Sequence, residues 1–488
     1  MIASTVLPYP TWLNPGDNAW QLTAATLVGL MSVPGLVVLY GGVMQKRWSV
    51  NSMMLAFLAF AAVLIVWVLW GFDMAFGHPW HGISDGSGGF IHGFLGNFIG
   101  QPGAVLNHAQ EQGQANIPLV GGPPWHFPQS TLVYFQFVFA AITPLLMLGS
   151  VLGRINIKAW IVFVPLWISG VYVVNAFLIW GGGWFAHKGA LDFSGGYVIH
   201  LAAGVAGFVA AWVIGPRLAR DREIDAPNNL LMVATGAGLL WLGWNGFNGG
   251  DPYYAGADAS SAVLNTNLCT AVALLVWIAW DYITGRKPSL IGTVNGMIVG
   301  LVAITPAAGF VNGYGAILIG VISSSVVYVA YNYVSRMRPF RNVDDTLGVI
   351  YTHGFAGVVG GLCVGLFADS RIAVTVNPDG TPNFSGTGSL HQLWVQAYTA
   401  LWVICFTAVG TFILLKLVGL VIPLRMSDEE LEIGDVAIHG HEVYPSDIPS
   451  LGYAGGIPGL TAPPSAATAM TATPPPPPPA PGAGPSAV

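Results

Sequence analysis

Charge is what this 488-residue chain lacks: only 8% of its residues are Lys, Arg, Asp or Glu, against about 25% in a soluble domain. That scarcity excludes a soluble globular fold, and with it an enzyme built on a soluble α/β core. Cysteine is nearly as sparse. Cys269, Cys363 and Cys405 all sit within apolar runs, which excludes a disulfide framework or a zinc ribbon. The N-terminus, MIASTVLPYP, has no basic stretch ahead of the first long apolar run, so that run reads as a retained span and not as a secretory signal. Apolar surface, by contrast, is abundant. Hydrophobic residues make up 54% of the chain, with 64 glycines and 18 tryptophans. This excludes disorder for most of the length and points to an all-α polytopic membrane protein, whose helices pack through small residues and carry aromatics at the interfaces.

A spanning helix needs about 20 predominantly apolar residues. Eleven windows meet that requirement: 19–44, 53–72, 131–151, 159–180, 197–214, 230–248, 262–282, 290–306, 315–333, 348–367 and 394–424. With the C-terminus inside, thirteen of the sixteen Lys and Arg fall in cytoplasmic loops, and only Lys188 and Arg371 fall outside. This bias predicts an N-out, C-in orientation. The expected layout is an external segment 1–18, a membrane domain 19–424, a cytoplasmic region 425–450 and a tail 451–488. A long external loop covers about 77–130 and carries His78, His81, His92, His108 and His126 without a Lys or Arg; these read as surface histidines, with no metal site. The tail, with six consecutive prolines, reads as disordered and partly polyproline II.

The most informative pattern is a duplication. The fifth window carries His200-Leu-Ala-Ala-Gly-Val-Ala-Gly and the tenth His353-Gly-Phe-Ala-Gly-Val-Val-Gly, both H-x-x-A-G-V-x-G. Each histidine follows an aspartate by eight residues, Asp192 and Asp345. Five windows separate the copies, so the expected architecture is an inverted 5+5 repeat plus a long eleventh helix, a transporter or channel signature with its site near the midplane. Eight helical residues rise about 12 Å, which brings the two rings together from opposite faces of a core about 30 Å thick. They are the only histidines within the windows. Ionisable groups in spans are functional candidates, and a metal would want a third or fourth ligand, for which no residue stands at that depth.

Longer segments carry a resemblance. Asn18-Ala19-Trp20 followed by PGLVVLYGG, then Phe135-Gln-Phe-Val-Phe139, Trp180-Gly-Gly-Gly, GALDFSGGYVIHLAAGVAG, WNGFNGG, GRKPSLIG, GLVAITPAAGFV, VDDTLGVIYTHGFAG and the stretch from LRMSDEELEIGD to HGHEVY resemble, in order, the ammonium transporter / methylammonium permease / Rhesus family. The resemblance runs from about Asn18 to Tyr444. It implies an eleven-span protomer, a homotrimer with one narrow pore per subunit, and no cofactor. It also implies that Phe135 and Phe139 form a stacked gate, that Phe247 completes it, and that Trp180 with Phe135 makes an outer cation site. His200 and His353 match the family's twin histidines, and Asp192 its acid at the start of the fifth span. Asp192 is also placed to cap that helix.

The residue types suit ammonium. Aromatic faces attract the cation by about 1–2 kcal/mol when partly desolvated, and an apolar pore makes carrying the charge inward costly. Recruitment as ammonium, loss of a proton and passage of ammonia past two imidazoles is the expected mechanism. The expected setting is the cell (inner) membrane, in nitrogen uptake. An ammonium sensor that binds with little flux and a Rhesus-like gas channel are the alternatives.

The chain departs from the family pattern at four points. Asp251 and Asp73 stand where serines are usual, at outer ends of spans, so both carboxylates are expected in the vestibule. Gly348 replaces an acid, and Leu152-Gly153-Arg154 replaces Ala-Glu-Arg, both on the inner side where the C-terminal region docks. These two put conventional tail coupling in question; a PII-type signal protein remains the expected partner there.

Overall fold

Eleven long helices organise the described residues: α1 (Pro15–Val43), α2 (Lys46–Phe76), α3 (Gln129–Leu148), α4 (Ile157–His187), α5 (Gly196–Ile214), α6 (Leu230–Gly249), α7 (Ala257–Ile283), α8 (Leu290–Ile304), α9 (Gly313–Arg336), α10 (Ile350–Phe367) and α11 (Leu390–Gly419). The structure, a computed structural model, describes residues 10–80, 94–120, 124–223, 226–376, 382–384 and 386–444. The proline-rich tail and the loop histidines His81 and His92 lie outside the described residues. Residues up to Val443 form one compact unit. A short antiparallel hairpin, β1 (Ala373–Val376) with β2 (Pro382–Phe384), precedes α11.

Ten of these helices are long and apolar enough to cross a bilayer; α8 is not. The window read as 290–306 stops as a helix at Ile304, and Thr305 to Val311 continue as turns. Pro306 is the reason, since it has no N–H to extend the ladder and clashes with the preceding turn. The carbonyls freed there are taken by another segment: Ser194 N–H donates to Thr305 O (3.1 Å) and Phe193 N–H to Pro306 O (3.2 Å). At the other extreme α4 runs on to His187 and α11 begins before His391, so two histidines read as lying outside the windows stand at helix ends.

Most helix starts are capped by a short polar side chain: Asn14 for α1, Asn156 for α4, Asn229 for α6, Ser289 for α8, Asn312 for α9 and Ser389 for α11. The two histidine helices are different. Both open with a π-helical turn, Gly196–Leu201 and Ile350–Phe355, and both are capped from a distance by an aspartate. Asp192 Oδ2 accepts from Tyr197 and Val198 N–H (both 3.0 Å) while its Oδ1 accepts from Gly195 (3.2 Å). Asp345 Oδ2 accepts from Ile350 N–H (2.9 Å).

The shared glycines explain the shared motif. A side chain at Gly204 would come within 2.4 Å of Gly354 N, and one at Gly357 within 2.5 Å of Gly196 O. The histidine-bearing turns of α5 and α10 therefore cross with backbone against backbone, a contact only small residues permit. The last glycine of each copy serves a neighbour: Gly207 lies against Ser150 and Gly360 against the Ala303 carbonyl. α3, buried nearly all round from Thr131 to Leu148, stands at the centre of the helices. Many large apolar side chains of α7, α9 and α11, such as Leu264, Leu275, Val329, Leu401 and Leu417, face outward.

Between α3 and α4, Arg154 is buried and donates to the carbonyls of Ser150, Leu152, Gly215 and Asp344 and to Thr346 Oγ1. The segment after α11 is seated beside it, with Met426 N–H donating to Arg154 O (3.0 Å). Further on, Asp435 caps α2 by accepting from Val50 (2.7 Å) and Asn51 (2.9 Å), and Arg47 donates to the carbonyls of Leu431 and Glu432. The departures at 152–154 thus leave the C-terminal region in contact with the membrane domain. Gly348 has a positive φ (+70°), and a side chain there would strike Tyr331 at 2.6 Å, so an acid has no room at that position.

Candidate functional site

His200 and His353 meet where α5 and α10 cross. Their Nδ1 atoms are 3.2 Å apart, and the ring centroids are 5.3 Å apart at 21°. A neutral imidazole carries one N–H and one lone pair, so in such a contact one ring donates and the other accepts. His200 is fully buried, and its Nε2 has no hydrogen-bond partner. His353 is slightly exposed, on the wall of a cavity of about 320 Å³. Trp244 and Phe247 hold the His200 ring, stacked at 5.3 Å and 5.9 Å. Trp244 is fixed in turn by its Nε1–H, which donates to Thr305 Oγ1 (2.9 Å) at the end of the shortened α8.

An aromatic column leads outward from His200. Phe247 packs on Phe139 at 4.4 Å, Phe139 on Phe135 at 4.7 Å, and Phe135 meets Tyr253 edge-on at 5.9 Å. The three phenylalanines read from the sequence are thus brought together, at 0–1% exposure. Trp180 makes its ring contact with Phe139 (6.3 Å, 89°), while Phe135 faces Tyr253 instead. The Trp180 indole N–H donates to Asp192 O (2.6 Å), which ties the outer aromatic to the α5 cap.

The acids part company. Asp251 accepts a hydrogen bond from Ser194 Oγ, next to the α5 entry. Burial pushes its carboxyl well above the usual range and nearby Asp192 adds to this, while the Ser194 hydroxyl opposes it. Asp192 is pushed up to about 6 by burial, against the backbone N–H groups that it caps. Asp73 is elsewhere: it lines a separate cavity of about 450 Å³ with His78, Gln101, Gln114 and Asn116, a lining that includes none of Phe135, Trp180 or Asp251. The 100–103 segment folds over the end of α2, with Gly100 N–H donating to Met74 O (2.8 Å) and Gly103 close against the Asp73 carboxylate.

The Ammonium Transporter Family matches residues 19–444. The chain belongs to that family. Ammonium transporter 3 member 1 of Oryza sativa subsp. japonica is 50% identical over 447 residues, covering 89% of this chain and 88% of the relative. Ammonium transporter 2 of Arabidopsis thaliana is 50% identical over 442 residues, covering 89% of each. Among solved structures, Mep2 of Saccharomyces cerevisiae superposes with a TM-score of 0.70 at 28% identity, covering 86% of this chain and 89% of that one. This member of the ammonium transporter family is therefore a multi-pass membrane protein and a transporter, not an enzyme.

Four residues of the family member's site were not singled out by the sequence reading. Trp244, Ser194 and Tyr253 touch His200, Asp251 and Phe135 in turn, and Gln136 Nε2–H donates to Tyr253 OH (2.7 Å). Trp244 lies three residues before Phe247, one turn away on the same helix face, which is the signal that marks it. Tyr253, with its positive φ of 62°, follows a Gly-Gly-Asp-Pro turn whose course no periodicity reveals.

Proposed function

We propose that this protein is an ammonium transporter of the cell membrane. It spans the membrane eleven times, N-out and C-in, as an inverted 5+5 repeat plus a long eleventh helix, and it works as a homotrimer with one pore per subunit. Membrane domain 19–424 carries the pore and 425–450 is the regulatory region, the face for a PII-type signal protein. Residues 451–488 are a disordered tail.

Ammonium is recruited at the outer end of the aromatic column, where Trp180, Phe135 and Tyr253 offer ring faces and Asp251 adds a carboxyl group. Cation–π attraction contributes about 1–2 kcal/mol there. Beyond Phe139 and Phe247 the passage is apolar, and an unpaired ion costs several kcal/mol to desolvate. Losing the proton at the gate removes that cost. Ammonia then moves past the histidines as a neutral molecule, and the proton follows through the imidazoles. Asp192 supports the site indirectly by capping α5 and placing the Trp180 indole.

The observation that carries this reading is the Nδ1–Nδ1 contact of His200 and His353 at 3.2 Å, at the inner end of the ring column. It gives two neutral imidazoles a shared hydrogen bond in an apolar place, the arrangement a proton relay needs. Ammonium pulses on purified protein in liposomes, read by solid-supported-membrane electrophysiology and by stopped-flow ammonia uptake, test it. Sustained current together with ammonia uptake is expected. A brief charge displacement without uptake would make the protein a sensor, and uptake without current a gas channel.

A further inference from the structure

Asp345 stands at the inner end of the relay with a carboxylate oxygen left over. Its Oδ2 caps α10 at Ile350 N–H (2.9 Å), whereas its Oδ1 is buried with no hydrogen-bond partner. Ser150 Oγ is likewise buried without a partner, and it lies close enough to favour the charged carboxylate. The other ionisable groups facing Asp345 are Tyr40, Arg154 and Tyr351.

Two cavities meet beside it. The cavity of about 320 Å³ has His353, Thr352, Thr346 and Tyr331 in its wall. A second, of about 520 Å³, has Asp345, Thr346 and Tyr331 in its wall together with Arg336 and Arg341. Thr346 and Tyr331 line both, so the two cavities adjoin across these side chains, one beside the second histidine and the other beside the carboxylate and the basic residues. Each cavity has room for several waters, which occupy about 30 Å³ each.

Neighbouring groups are spoken for. Asp344 is gripped by Arg217 (3.0 and 2.9 Å), and although burial works the other way this pair holds its carboxyl below the usual range. Arg154 has its donors engaged by carbonyls and Thr346. Burial pushes the Asp345 carboxyl up, against the Ile350 N–H and Ser150. Adjacent carboxyl groups with affinities driven apart mark distinct roles.

We propose that Asp345 is the proton acceptor at the inner end of the pore. The inference rests on the proton-relay reading above. As the proton leaves His353 Nε2, an N–H bond breaks and, through cavity water, an O–H bond forms at the Asp345 carboxylate. That O–H bond then breaks as the proton passes to water in the second cavity, and the carboxylate is restored.

Asp345→Asn keeps an oxygen for the Ile350 N–H but cannot take up a proton. In liposomes, ammonia uptake by this variant should stay within about twofold of wild type while sustained current falls at least ~10-fold, the scale of a positioned acid–base group. Asp345→Glu should regain most of the current, and Ser150→Ala, which removes the hydroxyl that favours the charged carboxylate, should lower it about two- to threefold. Unchanged current in Asp345→Asn would overturn the proposal, and so would equal losses of current and uptake, the mark of a cap alone. If Asp345→Asn does not fold, unchanged current in Ser150→Ala overturns it. A wild-type protein that takes up ammonia without current refutes the relay itself, an outcome seen before any variant is made.

Discussion

The two histidine-bearing turns share a motif and a backbone form but not their surroundings. His200 is roofed by Trp244 and Phe247 and lies beneath three phenylalanines. His353 looks into an open cavity. Their aspartates differ in the same sense: Asp192 takes three backbone N–H groups, whereas Asp345 takes one and keeps an oxygen free. One end is therefore shut by packed rings, and the other opens on a largely apolar cavity. The proposed stripping of an ion at one end and its release at the other would need that asymmetry, even where the sequence elements match.

The largest effect should come from filling the crossing that the two turns share. Gly204→Leu would drive a side chain into the Gly354 backbone, where even a Cβ meets nitrogen at 2.4 Å. Loss of more than about 3 kcal/mol is expected from such overpacking, read as failure to elute as a monodisperse species in detergent. Next, Asp192→Ala should destabilise more than Asp345→Ala. Three donors lose their acceptor in the first and one in the second, at about 1 kcal/mol or more each. Thermal unfolding of the two variants in detergent checks the order, and equal shifts would break the comparison.

Phe139→Ala should open the shut end, raising leak of a larger amine cation such as methylammonium several-fold in liposome flux assays. Trp244→Phe is the mildest change. It keeps a ring on His200 but loses the donor to Thr305, at about 1 kcal/mol, and it should slow transport less than twofold.

Much of this was legible in the sequence, for identifiable reasons. The H-x-x-A-G-V-x-G pair could be read because each position is constrained by contact: the histidines touch each other, and Gly204 and Gly357 let the two backbones touch. Helix positions could be read because apolar length is a strong signal. The end of α8 could not, since hydropathy runs on through Pro306 while the ladder does not. The cavity that Asp73 lines could not be read either, because a residue at the end of a span can face any neighbour and only the fold of the 100–103 segment decides which. Trp180 was paired in the resemblance with Phe135, but one helical turn separates Phe135 from Phe139, and the turn it meets follows from packing alone.

A contact between two Nδ1 atoms holds a single hydrogen, and this would give the proposed relay a memory. When His200 lends that hydrogen, its Nε2 is bare and an arriving proton has a place to land. Handing one proton across leaves the pair reversed, with His353 as the lender and the outer nitrogen of His200 already occupied. A second inbound proton must wait until both rings have exchanged their hydrogens, whereas one travelling back would find the way clear. Turnover of charge would then be timed by that reset rather than by the arrival of substrate.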